Sequence, residues 1–343
     1  MSSGDTAGTA GLTPVVEVVR SGRLESVHLG AAVAADGGGR VLASAGDPSL
    51  AAYLRSAAKP VQLLTMLRSG LERSATLTDP ELAVCAASHG GEPGHVEVVK
   101  GLLDRNGLTP DHLRCGTLAP LDPEARDALA RHGREPGVLH NNCSGKHAAM
   151  VLTSRANGWP LETYLAEDHP LQQRIAGTVG ALSGEPVAAG VDGCGVPTFY
   201  MTLTAAARMT ASVMALAGEE GAARRVVAAM TGAPWYTSAT RRLAYHLMRE
   251  LPGVLAKEGA EGFFVIGLPA VRSPWGEPAA VAVKAVDGGG EDARGRDAGV
   301  VSALLSLDVA SAGERRRLEA LRVRPLLNAA GRAVGEIRGV LRF

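Results

Sequence analysis

Apolar positions along this chain follow two different periods. Near the N-terminus, Val15–Val19, Ser26–Ala35 and Arg40–Ala45 are rich in valine and alanine and read as strands. Ser21-Gly22 and Asp36-Gly37-Gly38-Gly39 supply the turns between them. The period then changes. Leu63, Leu64, Leu67 and Leu71 recur at helical spacing, which predicts a buried helix behind Arg55-Ser56-Ala57-Ala58-Lys59-Pro60. Pro60 is tolerated in its opening turn because the first backbone donors of a helix have no partner there. Further helices are predicted over Pro80–Ala87, His95–Asn106, Ala148–Ala156, Thr198–Ala217, Glu219–Met230 and Thr240–Glu250. Strands return at Phe263–Leu268 and Ala279–Val286. Gly288 to Arg296 reads as a flexible charged loop, followed by helices near Ala298–Val309 and Gly313–Val323 and a last strand, Val334–Phe343.

Strands therefore cluster at both ends and helices fill the middle. This order predicts an α+β fold, an α/β sandwich in which the N- and C-terminal strands share one antiparallel sheet beside a helical lobe. Nothing in the pattern cuts the chain into independent units. Residues 14–343 are expected to form a single catalytic domain after a disordered leader, residues 1–13.

Composition narrows the function. A chain of 343 residues with a formal net charge of zero and a pI near 7.1 offers no footing for nucleic acid or an anionic membrane surface. No apolar run reaches the roughly 18 residues of a membrane span. Met1–Pro14 lacks the basic and apolar regions of a signal peptide, so a cytoplasmic protein is expected. Four cysteines, Cys85, Cys115, Cys143 and Cys194, do not make a disulfide framework in a chain this long. Aromatic residues are only 3% of the chain, so the core must be built from Ala, Val and Leu.

Lysine is the informative residue type. Of 35 basic residues only five are lysines: Lys59, Lys100, Lys146, Lys257 and Lys284. A guanidinium keeps its proton in a protein, whereas a buried ammonium can lose it and act as base or ligand. Ser56 and Lys59 are three residues apart and share a helical face. A serine oxygen needs a neighbouring base to become a nucleophile, and a neutral lysine can be that base. Lowering a lysine from about 10.4 to 7–8 takes roughly 3–5 kcal/mol, which burial and neighbouring cations can supply. Cys143 and Lys146 repeat the spacing, and with Cys194 they offer two thiolates and an amine, a set suited to zinc. Two buried reduced cysteines account for the same spacing. Cys85 and Cys115 read as core. Arg55 could grip a carboxylate, and Asp192, in the Gly-rich loop Asp192–Pro197, could hold an ammonium group.

Ser56/Lys59, Ser88 and Lys257-Glu258-Gly259 occur in the order used by penicillin-recognising serine enzymes, with Glu258 where those enzymes carry a hydroxyl. A closer resemblance covers nearly the whole chain, from about Pro14 to Phe343. Arg55–Pro60, Ser88-His89-Gly90-Gly91-Glu92, the block from His140 to His147, Asp192–Pro197 and Gly259-Ala260-Glu261-Gly262 resemble the motifs of the Rhizobium-type, thermolabile asparaginase II family. The resemblance implies L-asparagine hydrolysis, a serine β-lactamase-like fold, the Ser–Lys pairs Ser56/Lys59 and Ser88/Lys257, and one zinc on Cys143, Lys146 and Cys194. In the scheme read here Ser56 attacks, Ser88 and Lys257 relay protons, and the zinc shapes the pocket; the order of attack between the two serines stays open at the level of sequence. His147 joins Arg55 and Asp192 as a candidate substrate-binding residue, and a homodimer is expected. Ala57, Gly91 and Glu258 depart from the family pattern without touching a catalytic atom. A penicillin-binding or β-lactamase-like hydrolase and a non-enzymatic protein binding zinc or an amino acid remain the alternative classes.

Overall fold

The computed structural model describes residues 10–289 and 293–343, without the side chain of Ser74. Most of the expected leader, residues 1–9, and the middle of the Gly288–Arg296 loop, residues 290–292, lie outside the described residues.

Eleven strands occur among the described residues: β1 (Thr13–Arg20), β2 (Arg23–Asp36), β3 (Val41–Ala45), β4 (Ala51–Tyr53), β5 (Ala188–Val191), β6 (Pro197–Thr202), β7 (Leu255–Glu258), β8 (Phe263–Leu268), β9 (Ala279–Ala285), β10 (Val323–Leu327) and β11 (Ala333–Gly339). Eight form one sheet in the order β10-β11-β1-β2-β9-β8-β7, with β3 added to β2, and every pairing is antiparallel. The first and last strands therefore meet at the β1–β11 ladder, as the terminal clustering predicts. Ala31, Ala32, Val33, Ala34 and Ala35 are all fully buried. Successive strand side chains face opposite ways, so both faces of the sheet are covered. Helices Leu203–Glu219 and Arg294–Ser306 pack on it, completing the sandwich.

The small sheet, β4-β6-β5, corrects one expectation. Thr198–Thr202 is strand, because Thr198, Phe199 and Tyr200 pair with β5 and Met201 and Thr202 with β4. These β-branched and aromatic side chains suit a pleated surface. The helix starts only at Leu203, capped by Thr202 Oγ1, which accepts the Ala205 N–H at 3.1 Å. A second correction concerns Leu71. The helix Lys59–Arg68 stops before Gly70, whose φ of +88° suits glycine, and buried Leu71 opens the next short turn. A third places Lys257 within a strand, the edge strand β7, rather than in a loop leading to one. The short strands β4, β5 and β10 and the helices Pro123–Arg131 and Pro170–Ser183 were not predicted.

The helical lobe carries Asp79–Cys85 and Ser144–Ala156 against each other. Their close crossing depends on Gly145, where a Cβ would lie 2.3 Å from the Val84 carbonyl oxygen. That contact sets the first turn of the second helix, with Cys143 just before it, beside the loop that follows the first.

Candidate active site

The approach to Ser56 is pinned by the small sheet. Leu54 N–H donates to the Phe199 carbonyl at 2.9 Å, and Arg55 N–H donates to Thr198 Oγ1 at 3.1 Å. Arg55 has a φ of +50°, a left-handed conformation uncommon for a non-glycine residue. A 3-10 turn, Arg55–Ala58, then runs into the helix Lys59–Arg68, with Pro60 in its opening turn. Ser56 is half-buried, and its side chain makes no hydrogen bond among the described residues. Lys59 points inward from the next turn and is 1% exposed. Its Nζ donates to the Ala87 carbonyl, to Ser88 Oγ at 3.0 Å and to Cys143 Sγ at 3.2 Å. Three acceptors thus surround the amine. The expected direct Ser56–Lys59 bond is absent here, and the lysine sits on Ser88 instead.

Ser88 is the junction. It is 2% exposed, and its N–H donates to the Thr237 carbonyl at 3.1 Å. Lys257 Nζ reaches the same hydroxyl at 2.9 Å and the Glu258 carbonyl at 3.0 Å. Strand β7 can press against the Ser56 turn because residue 259 is glycine: a Cβ there would lie 2.7 Å from the Leu54 carbonyl oxygen. Burial pushes the Lys257 pKa well below the ordinary lysine value, helped by Lys59 and Arg242 and opposed by Glu258. The shift favours the neutral amine, the form that could accept a proton from Ser88.

Glu258 replaces the hydroxyl of the Lys-[Ser/Thr]-Gly pattern because its side chain has a different task. Its carboxylate is fully buried, 3.8 Å from Lys257 Nζ and 3.5 Å from Arg242 Nε. It accepts the Ala244 N–H at 3.0 Å and the Ser238 hydroxyl at 3.2 Å. Burial works against its charge, but Arg242, Lys257 and Arg296 bring its pKa down to about 2. The sequence contains no motif that foretells the Arg242 contact.

The second constellation also assembles. Lys146 Nζ donates to Cys194 Sγ at 3.0 Å, and Lys59 Nζ to Cys143 Sγ at 3.2 Å. The neighbouring Cys194 thiol, with Lys59 and Lys146, holds Cys143 well below the ordinary thiol value, while Cys143 and burial push Cys194 up. Burial opposes the charge of Lys146, but Cys194, Cys143 and Asp192 raise its pKa above the ordinary range. Among the described residues no three His, Cys, Asp or Glu side chains gather at a metal-sized site. With the Lys146 amine counted, two sulfurs and a nitrogen converge, and Asp192 Oδ2 lies 3.5 Å from Cys194 Sγ. A zinc would need the protons on Lys146 and Cys194 to leave before these atoms could act as ligands. Cys85 and Cys115 are buried in the core as expected, and burial raises the Cys115 thiol to about 12.

The substrate-binding candidates have different surroundings. Arg55 Nε and Asp192 Oδ1 form an ion pair across the pinned turn and the β5–β6 loop. His147 is fully buried, with Nδ1 2.7 Å from the Tyr164 hydroxyl. That hydroxyl also accepts the Arg114 N–H at 2.7 Å. Burial, with Lys146 and Lys59 nearby, holds the imidazole well below the ordinary histidine value. Nε2 is buried without a partner among the described residues. Tyr164 gave no sign of this role in the sequence.

Residues 16–339 match the family model of L-asparaginase II. The chain belongs to the L-asparaginase II family. It is accordingly an asparaginase-type amidohydrolase, a hydrolase acting on a small molecule. A search of curated proteins finds no match. Solved structures similar to this asparaginase II chain include a β-lactamase from Mycobacterium bovis, at 16% identity and a TM-score of 0.40, covering 75% of this chain and 87% of the other. A Bacillus glutaminase is similar at 12% identity and a TM-score of 0.40, covering 75% and 83%. The Bacillus subtilis glutaminase in covalent complex with 5-oxo-L-norleucine has 12% identity and a TM-score of 0.36, covering 75% and 80%. Among the described residues no helix of this family member is long and apolar enough to cross a membrane.

Proposed function

We propose that this chain hydrolyses L-asparagine to L-aspartate and ammonia through an acyl-enzyme on Ser56. The observation that carries the reading is the bridge Lys59–Ser88–Lys257, with steps of 3.0 and 2.9 Å and a neutral amine at its inner end. A chain of hydrogen bonds ending in a vacant lone pair can take up the proton that a serine must lose.

Ser56 is the outer, half-buried hydroxyl, and Ser88 is the inner one. Lys59 exchanges its Cys143 contact for Ser56, passes a proton through Ser88 to Lys257, and takes up the Ser56 hydroxyl proton in its place. The Ser56 oxygen then adds to the side-chain amide carbon, the tetrahedral oxyanion collapses, and the C–N bond breaks. The departing nitrogen takes a proton back along the same chain and leaves as ammonia. Water repeats the addition on the ester, releasing aspartate and restoring the Ser56 proton. Arg55 and Asp192 carry opposite charges side by side, matching the α-carboxylate and α-ammonium of an amino acid.

Cys143, Lys146 and Cys194 would hold the zinc. When bound, it supplies a tie between the helix Ser144–Ala156 and the β5–β6 loop, fixing Asp192 rather than activating water. Free cysteines and the absence of charge imbalance support a cytoplasmic setting, and the expected homodimer belongs to the same proposal.

Ammonia release measured with asparagine, glutamine and propionamide tests the substrate. Asparagine is expected to exceed propionamide by several orders of magnitude in kcat/KM, because propionamide leaves both charged partners unmatched. Equal turnover of the two would refute the amino-acid grip.

A further inference from the structure

A cavity of about 660 Å³ lies between the Leu121–Pro123 segment, Arg241 and Arg242, the start of the helix Arg294–Ser306, and strand β10. Four guanidinium groups line it, those of Arg241, Arg242, Arg296 and Arg324, against one carboxylate, Asp297. Asp297 is already committed to Arg296, with Oδ1 2.6 Å from Nη2. Arg241 pairs with Glu124 at 2.5 Å outside the cavity, and Arg242 faces Glu258 at 3.5 Å. Arg324 differs. Its Nε and Nη2 are buried and have no hydrogen-bond partner among the described residues, and Arg242 Nε also lacks one. Buried donors without acceptors are costly, and those of a charged group most of all.

We infer that this cavity is a binding site for a small oxyanion, separate from the Ser56–Ser88 site. Guanidinium forks match the geometry of phosphate and carboxylate oxygens, often two at a time. A volume within the roughly 300–1,000 Å³ range of small-molecule sites accommodates an organic anion rather than a single ion. With Arg296 on Asp297, Arg241 on Glu124 and Asp122, and Arg242 facing Glu258, the Arg324 guanidinium is, among the described residues, the one left to take the charge of a ligand. Phosphate esters and polycarboxylates share this chemistry.

Isothermal titration calorimetry on the full chain decides it, with pyrophosphate and citrate as probes. A single saturable site per chain is expected, weakened at least about tenfold by Arg324→Gln and about threefold by Arg241→Gln. Tighter binding of pyrophosphate assigns the site to phosphate ligands, and tighter binding of citrate assigns it to polycarboxylates. No saturable binding of either probe, or wild-type affinity in the folded variants, overturns the inference. Should Arg324→Gln not fold, the exposed Arg241→Gln decides alone: undiminished affinity overturns it.

Discussion

Lys257 Nζ and Ser88 Oγ meet at 2.9 Å although they lie 169 residues apart, and both are buried. One comes from the edge of the main sheet, the other from the loop after the helix Asp79–Cys85. The contact joins the two halves of the fold at the proposed point of proton transfer, and it gives the first prediction.

Lys257→Met should lower kcat by about 10²–10⁴-fold, the usual worth of a general base. Lys257→Arg should do the same, because arginine cannot release its proton. Activity should fall on acidification as Lys257 gains a proton and should recover above its depressed pKa. The stability sign follows from the same shift. Between the folded pKa and about 10.4 the unfolded chain binds more protons, so wild-type stability rises with pH at up to about 1.4 kcal/mol per unit. Lys257→Met should lose that contribution to the slope. A pH–kcat profile beside denaturation curves at several pH values checks both.

Gly145→Ala should destabilise the protein by about 1–3 kcal/mol, since its Cβ would sit 2.3 Å from the Val84 carbonyl oxygen. The helix Ser144–Ala156 must then move away from the Ser88 loop, so kcat should drop as well. Thermal denaturation with an activity assay measures the two together.

Much of this arrangement was legible in the sequence, though unevenly. Residue chemistry and motif resemblance singled out Ser56, Lys59, Ser88, Lys257, Cys143, Lys146 and Cys194; the fold buries all but Ser56, which stays half-buried. Hydrophobic period found the terminal strands because β2 carries a long run of small apolar residues. Thr198–Thr202 misled it: the apolar residues that follow are helical, and only the ladders to β4 and β5 mark the strand. The Lys59 contact with Ser88 was not readable either. Spacing of three predicts a shared face, but the side chain follows the deepest acceptors, which belong to Ala87, Ser88 and Cys143. The Glu258–Arg242 and His147–Tyr164 pairs depend on long-range packing that no local pattern encodes.

Arg55→Lys and Asp192→Asn should each raise KM for asparagine by about 10–100-fold with a smaller effect on kcat. Lysine keeps the charge but loses the planar fork. Neither change should affect propionamide turnover, which needs no charged grip. Steady-state kinetics on both substrates separates this outcome from general damage to the fold.

Elemental analysis of protein purified without chelator should find one zinc per chain. Cys143→Ser and Lys146→Arg should each abolish it, the second despite its retained charge, because a guanidinium offers no lone pair. Zinc binding must displace the protons on Cys194 and Lys146, so affinity should weaken steeply as pH falls. Chelation should lower the melting temperature and weaken substrate binding while leaving some turnover.

The most direct measurement of the central claim is mass spectrometry of enzyme mixed with asparagine, quenched in acid and digested. A β-aspartyl ester is predicted on the peptide carrying Ser56 in the wild type. It should be absent in Ser56→Ala, and it should form at a much reduced rate in Ser88→Ala. An ester on Ser88, or turnover by Ser56→Ala within about tenfold of wild type, would contradict the assignment of Ser56 as nucleophile.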